Sequence, residues 1–128
     1  MRTLRLPFLL GIMLILSGCD GLARWAYDTA LDAERARAGL ESHRLTTADG
    51  VEWHYLRSDS ADDKPVVLLV HGFGADSSNW VRFVNELEGE YHFIVPDLPA
   101  HGDSTRSLDL NYTTEAQGAR LLTLMSEL

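Results

Sequence analysis

The most constraining stretch of this chain is Pro65-Val66-Val67-Leu68-Leu69-Val70, an apolar run that stops at His71-Gly72-Phe73-Gly74. Apolar residues without alternation, several of them β-branched, predict a strand buried on both faces, as in a parallel sheet. Gly72 and Gly74 let the chain turn after it without a Cβ clash. Helical spacing follows. Asp76, Ser77 or Ser78 can cap a helix whose buried stripe is Trp80, Phe83, Val84 and Leu87, and Gly89 stands past its end. A second apolar strand, Tyr91–Val95, then runs into Pro96-Asp97.

Upstream, strands around Ser42–Thr47 and Val51–Arg57 flank Asp49-Gly50, a hairpin signature. Downstream, the loop Leu98–Asn111 leads to a final helix starting near Thr113 or Thr114. Thr114 with Gln117 reads as a capping box, and Ala119, Leu122 and Met125 as the apolar stripe. Hairpin, then β-α-β-α, is an α/β order. With 128 residues there is room for one domain at most.

The formal net charge of −8 excludes a nucleic-acid partner, because no basic stripe exists to neutralise phosphates. The acidic groups around Asp59 to Asp63 and Glu86 to Glu90 read as solvated faces. His43, His54, His71, His92 and His101 show no metal-ligand spacing, so no metal is expected.

Residues 1–18 read as an address. Arg2 and Arg5 precede an apolar run, Leu6–Leu16, which ends in Leu16-Ser17-Gly18-Cys19. A run of about 11 residues is too short for a bilayer that needs ~20. Leu-Ser-Gly-Cys resembles the lipobox of bacterial lipoproteins. That resemblance implies cleavage before Cys19, the chain's single cysteine, and a lipid anchor at the bacterial cell envelope. Several acyl chains, at ~0.8 kcal/mol per buried CH₂, give a lasting hold on the membrane. Asp20 after the cysteine resembles an inner-membrane retention signal. Residues 19–41 then form a membrane-proximal segment. There Leu22, Trp25, Ala26, Ala30, Ala33 and Leu40 have the spacing of an amphipathic helix ending near Gly39.

Two loops carry the chemistry: His71-Gly72-Phe73-Gly74 and Pro96-Asp97-Leu98-Pro99-Ala100-His101-Gly102-Asp103-Ser104. Both follow buried strands, at the edge where open α/β sheets collect ligands. Together they resemble α/β-hydrolases of the esterase, lipase and monoacylglycerol-lipase type, in which His-Gly-x-Gly and Asp-x-Pro-Gly-x-Gly-x-Ser end successive strands. The likeness covers roughly Glu52 to Leu128, and Ala100 replaces the usual first glycine of the second motif. Residues 42–128 are thus expected to be the N-terminal half of such a domain.

The resemblance implies that the Phe73 backbone N–H is an oxyanion donor, in a loop shaped by Gly72 and Gly74 and held by the His71 ring. Trp80 reads first as helix packing, with the wall of an acyl pocket as the alternative. No Gly-x-Ser-x-Gly elbow occurs in the 128 residues. The nucleophile, acid and base are therefore expected outside this chain, which would be an inactive N-terminal fragment of a lipid-anchored serine hydrolase acting on carboxylic esters or lipids. No cofactor is expected. Asp97, His101 and Ser104 include every triad residue type, but near neighbours on one turning loop rarely meet triad geometry. They read as structural.

Two other readings compete. A non-catalytic, lipid-anchored binding domain needs only the anchor and the half-sheet. A dinucleotide-binding module would use Gly72-Phe73-Gly74-Ala75-Asp76-Ser77 and Asp97, but Ser77 stands where a third small residue belongs.

Overall fold

The computed structural model describes residues 6–59, 63–87 and 89–128, with side chains described from residue 21 onward. Helix α1 spans Leu6–Arg37. The strands are β1 Leu40–Thr46, β2 Glu52–Ser58, β3 Val66–Leu68 and β4 His92–Pro96. A 3₁₀ turn at Ser77–Trp80 leads into α2 Val81–Glu86, and α3 spans Thr114–Glu127. The chain divides into two compact units, residues 1–33 and 34–128.

In the first unit, Leu22 and Trp25 are exposed. None of the described helices is long and apolar enough to cross a membrane. The expected chemistry at Cys19, and the side chains of Ser17, Gly18 and Asp20, lie outside the described residues.

The second unit holds one sheet in the order β1-β2-β4-β3. β1 and β2 form the expected antiparallel hairpin, β2 pairs antiparallel with β4, and β3 pairs parallel with β4. β1 begins at Leu40, two residues ahead of its expected start, because Leu40 already pairs with Ser58. At the hairpin turn Gly50 takes a φ of 80°, and its N–H donates to Thr47 O at 2.8 Å. Asp49 Oδ1 accepts from the Thr47 hydroxyl at 2.6 Å, so the side chain before the glycine fixes the same turn.

Two apolar clusters sandwich the sheet. One joins Leu40, Leu56, Leu69, Phe93 and Val95 to Val81 and Val84 of α2. The other joins Val51, Trp53, Tyr55 and Ile94 to Leu124 of α3. β4 therefore contributes to both clusters. It is this strand that is buried on both faces, whereas the run Val66–Val70 is not: Val66 is 54% and Val70 37% exposed. The reason is position. β4 has a strand on either side, while β3 lies at the edge of the described sheet.

Each helix buries part of the stripe expected of it. At α2 the expected Val84 is buried, with Trp80 and Leu87 packed beside it, and Val81 is buried too, while Phe83 is exposed and only edges against Trp80. The 3₁₀ turn ahead of α2 shifts the phase, because three residues per turn advance the inward face faster than 3.6 do. In α3 the buried residue is Leu124, with Leu121 and Met125 packed beside it, whereas Ala119 and Leu122 are exposed. The Thr114–Gln117 capping box does not form either. Thr113 is the N-cap, accepting from Ala116 N, and Gln117 Nε2 donates to Pro99 O at 3.1 Å.

Candidate functional site

Parallel pairing of β3 and β4 brings the loops that leave their carboxyl ends to one rim. The ladder continues past β3, with Leu69 N donating to Ile94 O at 2.9 Å, so the chain reaches His71 still in register. The His71 ring is buried and joins the two loops. Its Nε2 accepts from the Leu98 N–H at 2.9 Å. That leaves the proton on Nδ1, which donates to Gly72 O at 2.8 Å. One neutral imidazole thus sets both the first loop's carbonyl and the second loop's amide.

Gly72 O also accepts from Ala75 N at 3.3 Å, closing a tight turn over Phe73 and Gly74. Gly74 has a φ of 73°, a conformation that a Cβ would penalise. The Phe73 side chain stands fully in solvent, with its ring edge-on to His101 at 6.2 Å. Among the described residues the Phe73 N–H makes no hydrogen bond. An unpaired donor on a turn held this way can serve a negatively charged oxygen without reorganising first.

The second loop is organised by Asp97, which is 2% exposed. Its Oδ1 accepts from Ser77 N at 2.7 Å. Its Oδ2 accepts from His54 Nδ1 at 2.7 Å and from Asp103 N at 2.9 Å. Burial alone would raise this carboxyl. The bonds from His54, Asp103 and Ser77 outweigh it and hold the group well below the ordinary 3.8, so it stays ionised. Ser104 Oγ donates to Asp97 O at 2.7 Å and accepts from His54 N at 2.9 Å, stitching the loop to β2.

Asp97 and Ser104 therefore meet through the backbone carbonyl of Asp97, and His101 is not between them. Its ring lies 5.0 Å from that of His71, and its Nδ1 sits 3.3 Å from Pro99 O. Ala100, at the place of the usual glycine, takes a φ of 74°. The motif's glycine preference has a steric cause there, and the alanine carries strain of about 1–2 kcal/mol.

Trp80 lies half-buried against the α2-side core. His43 stacks on Tyr55 and His92 bonds Ser58 and Asp59. Among the described residues no three His, Cys, Asp or Glu side chains gather as metal ligands. A cavity of about 470 Å³ lined by Arg37, Ser58, Lys64 and Tyr91 lies at the opposite ends of β3 and β4, away from these loops. Sequence reasoning missed His54 as the partner of Asp97. The available signal was a histidine in register with apolar strand residues, where burial demands a polar partner.

Residues 65–128 match the alpha/beta hydrolase fold family model. The chain belongs to that family. It is 40% identical over 92 residues to Lipase 3 of Moraxella sp. (strain TA144), covering 72% of this chain and 29% of that protein. With Lipase 1 of Psychrobacter immobilis it shares 35% identity over 125 residues, covering 94% of this chain and 39% of the relative. Among solved structures, a membrane phospholipase A described as a bacterial virulence factor superposes with a TM-score of 0.71 at 36% identity. That match covers 94% of this chain and 39% of the other. The chain thus spans less than two fifths of the length of these relatives.

Proposed function

We propose that residues 34–128 form the oxyanion side of a serine hydrolase acting on carboxylic esters, lipids among them. The observation that supports this reading most is the unpaired Phe73 N–H, held at the carboxyl rim of β3 by the His71 bridge. Acyl transfer develops negative charge on the carbonyl oxygen, and a fixed amide aimed there typically contributes ~3–4 kcal/mol to the barrier. Gly72 and Gly74 shape the turn, and Ser77 and Asp97 anchor its far side. Kinship with two lipases and likeness to a phospholipase favour lipid esters.

The nucleophile of this reaction belongs on a Gly-x-Ser-x-Gly elbow, which the 128 residues do not contain. The chain alone then has no turnover of acylglycerols, and the activity belongs to a longer protein. In that longer protein, hydrolysis of acylglycerols should be abolished by replacing the elbow serine. Phe73→Pro, which removes the donor, should lower kcat by about 10²–10³. Absence of turnover at every acyl length would refute the reading.

The lipobox-like Leu16-Ser17-Gly18-Cys19 supports a lipid anchor in a bacterial envelope membrane, with Asp20 favouring the inner one. Cys19→Ser should move the protein to the soluble fraction, and persistent membrane association would count against the anchor.

A further inference from the structure

The bond network of Asp97 extends to a third residue outside the rim described above. His54 Nδ1 faces Asp97 Oδ2 at 2.7 Å, and His54 Nε2 faces Ser42 Oγ at 2.8 Å. An ionised carboxylate only accepts, so Nδ1 carries the proton and donates to it. In the neutral imidazole Nε2 is then an acceptor, and the Ser42 hydroxyl donates into its lone pair. The acid and the base are buried, at 2% and 4% exposure, while Ser42 is open to solvent on β1. These are the hydrogen bonds and the burial order by which a base activates a serine and an acid orients the base.

We propose that Ser42 is a reactive nucleophile, with His54 as its general base and Asp97 as the residue that positions the ring. This array shares Asp97 with the second motif but uses none of His71, Gly72, Phe73 or Gly74, and it does not need the Phe73 amide as a donor. Activation comes from the base alone, which restricts the site to acceptors with a good leaving group, namely aryl esters and fluorophosphonates. With a fluorophosphonate, Ser42 Oγ attacks phosphorus and a P–O bond forms while the P–F bond breaks. Fluoride leaves with the electron pair, and the hydroxyl proton passes to His54 Nε2 and then to water. With an aryl ester, the same proton is delivered to the departing aryl oxide, leaving an acyl-serine that water can hydrolyse.

The test is fluorophosphonate labelling of the 128-residue chain, followed by mass-spectrometric mapping of the modified peptides. General-base assistance is worth about 10²–10⁴ in rate. Ser42 should therefore be labelled at least ~100-fold faster than Ser126, an exposed serine whose hydroxyl donates to Thr123 O instead. His54→Gln should remove that preference. Since His54 is buried and the variant can unfold, the wild-type chain in concentrated urea provides the second comparison, where Ser42 and Ser126 should react at equal rates. No label at Ser42, or a Ser42 rate within a few-fold of Ser126 in the folded chain, overturns the proposal. Loss of ester turnover in a longer protein would leave it standing, because the family's elbow serine is not among these residues.

Discussion

Replacing Asp97 by asparagine probes the group on which both loops converge. The side chain accepts from Ser77 N and Asp103 N in the backbone and from the His54 ring. An asparagine keeps one oxygen. Facing His54 and Asp103, that oxygen turns the amide NH₂ against the Ser77 N–H and strands two donors. Each unmet buried group costs ~1–3 kcal/mol, and the retained bonds lose their charge assistance. Two such groups and the lost charge assistance put the total at about 3–5 kcal/mol.

Urea unfolding followed by circular dichroism measures this, and the midpoint should fall by about 2 M for an m-value of ~2 kcal/mol per M. The difference should also depend on pH. The folded carboxyl is held below its unfolded value of 3.8, so its stabilisation is complete above that value and is lost as pH falls further. Between about pH 5 and pH 3 the gap between wild type and Asp97→Asn should narrow, by at most ~1.4 kcal/mol per pH unit. A midpoint shift worth under 1 kcal/mol, or a gap constant through that window, would refute the account of Asp97 as an ionised loop anchor.

Gly102→Ala should destabilise by about 2–4 kcal/mol, because its Cβ would overlap the buried Asp97 carboxylate at a φ of 48°; a change within 0.5 kcal/mol of zero, or roughly the noise of surface substitutions, argues against that packing. Ala100→Gly should work the other way, raising stability by about 0.5–1 kcal/mol as strain at φ 74° is relieved and some chain entropy is lost. In α3, Leu124→Ala should cost about 2–5 kcal/mol, whereas Leu122→Ala stays within ~0.5 kcal/mol. The contrast rests on exposures of 0% and 73%, and thermal denaturation of the two variants compares them directly.

The order of elements was legible in the residues because it depends on local chemistry. Asp49-Gly50 marks a turn whatever surrounds it, and the glycines at 72, 74, 89 and 102 mark where strands and helices stop. Two glycine-bearing loops after two apolar strands were sufficient to suggest the hydrolase family, since motif spacing is itself a local property. Which faces are buried was not legible. The run Val66–Val70 is more apolar than His92–Pro96, yet β4 became the doubly covered strand, because burial follows from having neighbours on both sides and residue type cannot supply those. Phe83 and Leu122 are exposed for a related reason: docking decides which side of a helix meets the sheet, and a stripe of apolar residues does not record which of its members the contact leaves outside.

The same division holds for the candidate sites. Loop composition placed His71, Gly72, Phe73 and Gly74 at the rim, and folding added the bridge from His71 to Leu98. Asp97 was recognisable as a motif residue, but its partner His54 lies 43 positions earlier and Ser42 lies 12 before that. Only the antiparallel register of β1 on β2, and of β2 on β4, carries those three side chains to one place. Composition and spacing can name the groups available for chemistry, whereas hydrogen bonding acts over about 3 Å and is decided by the sheet that brings distant residues within reach.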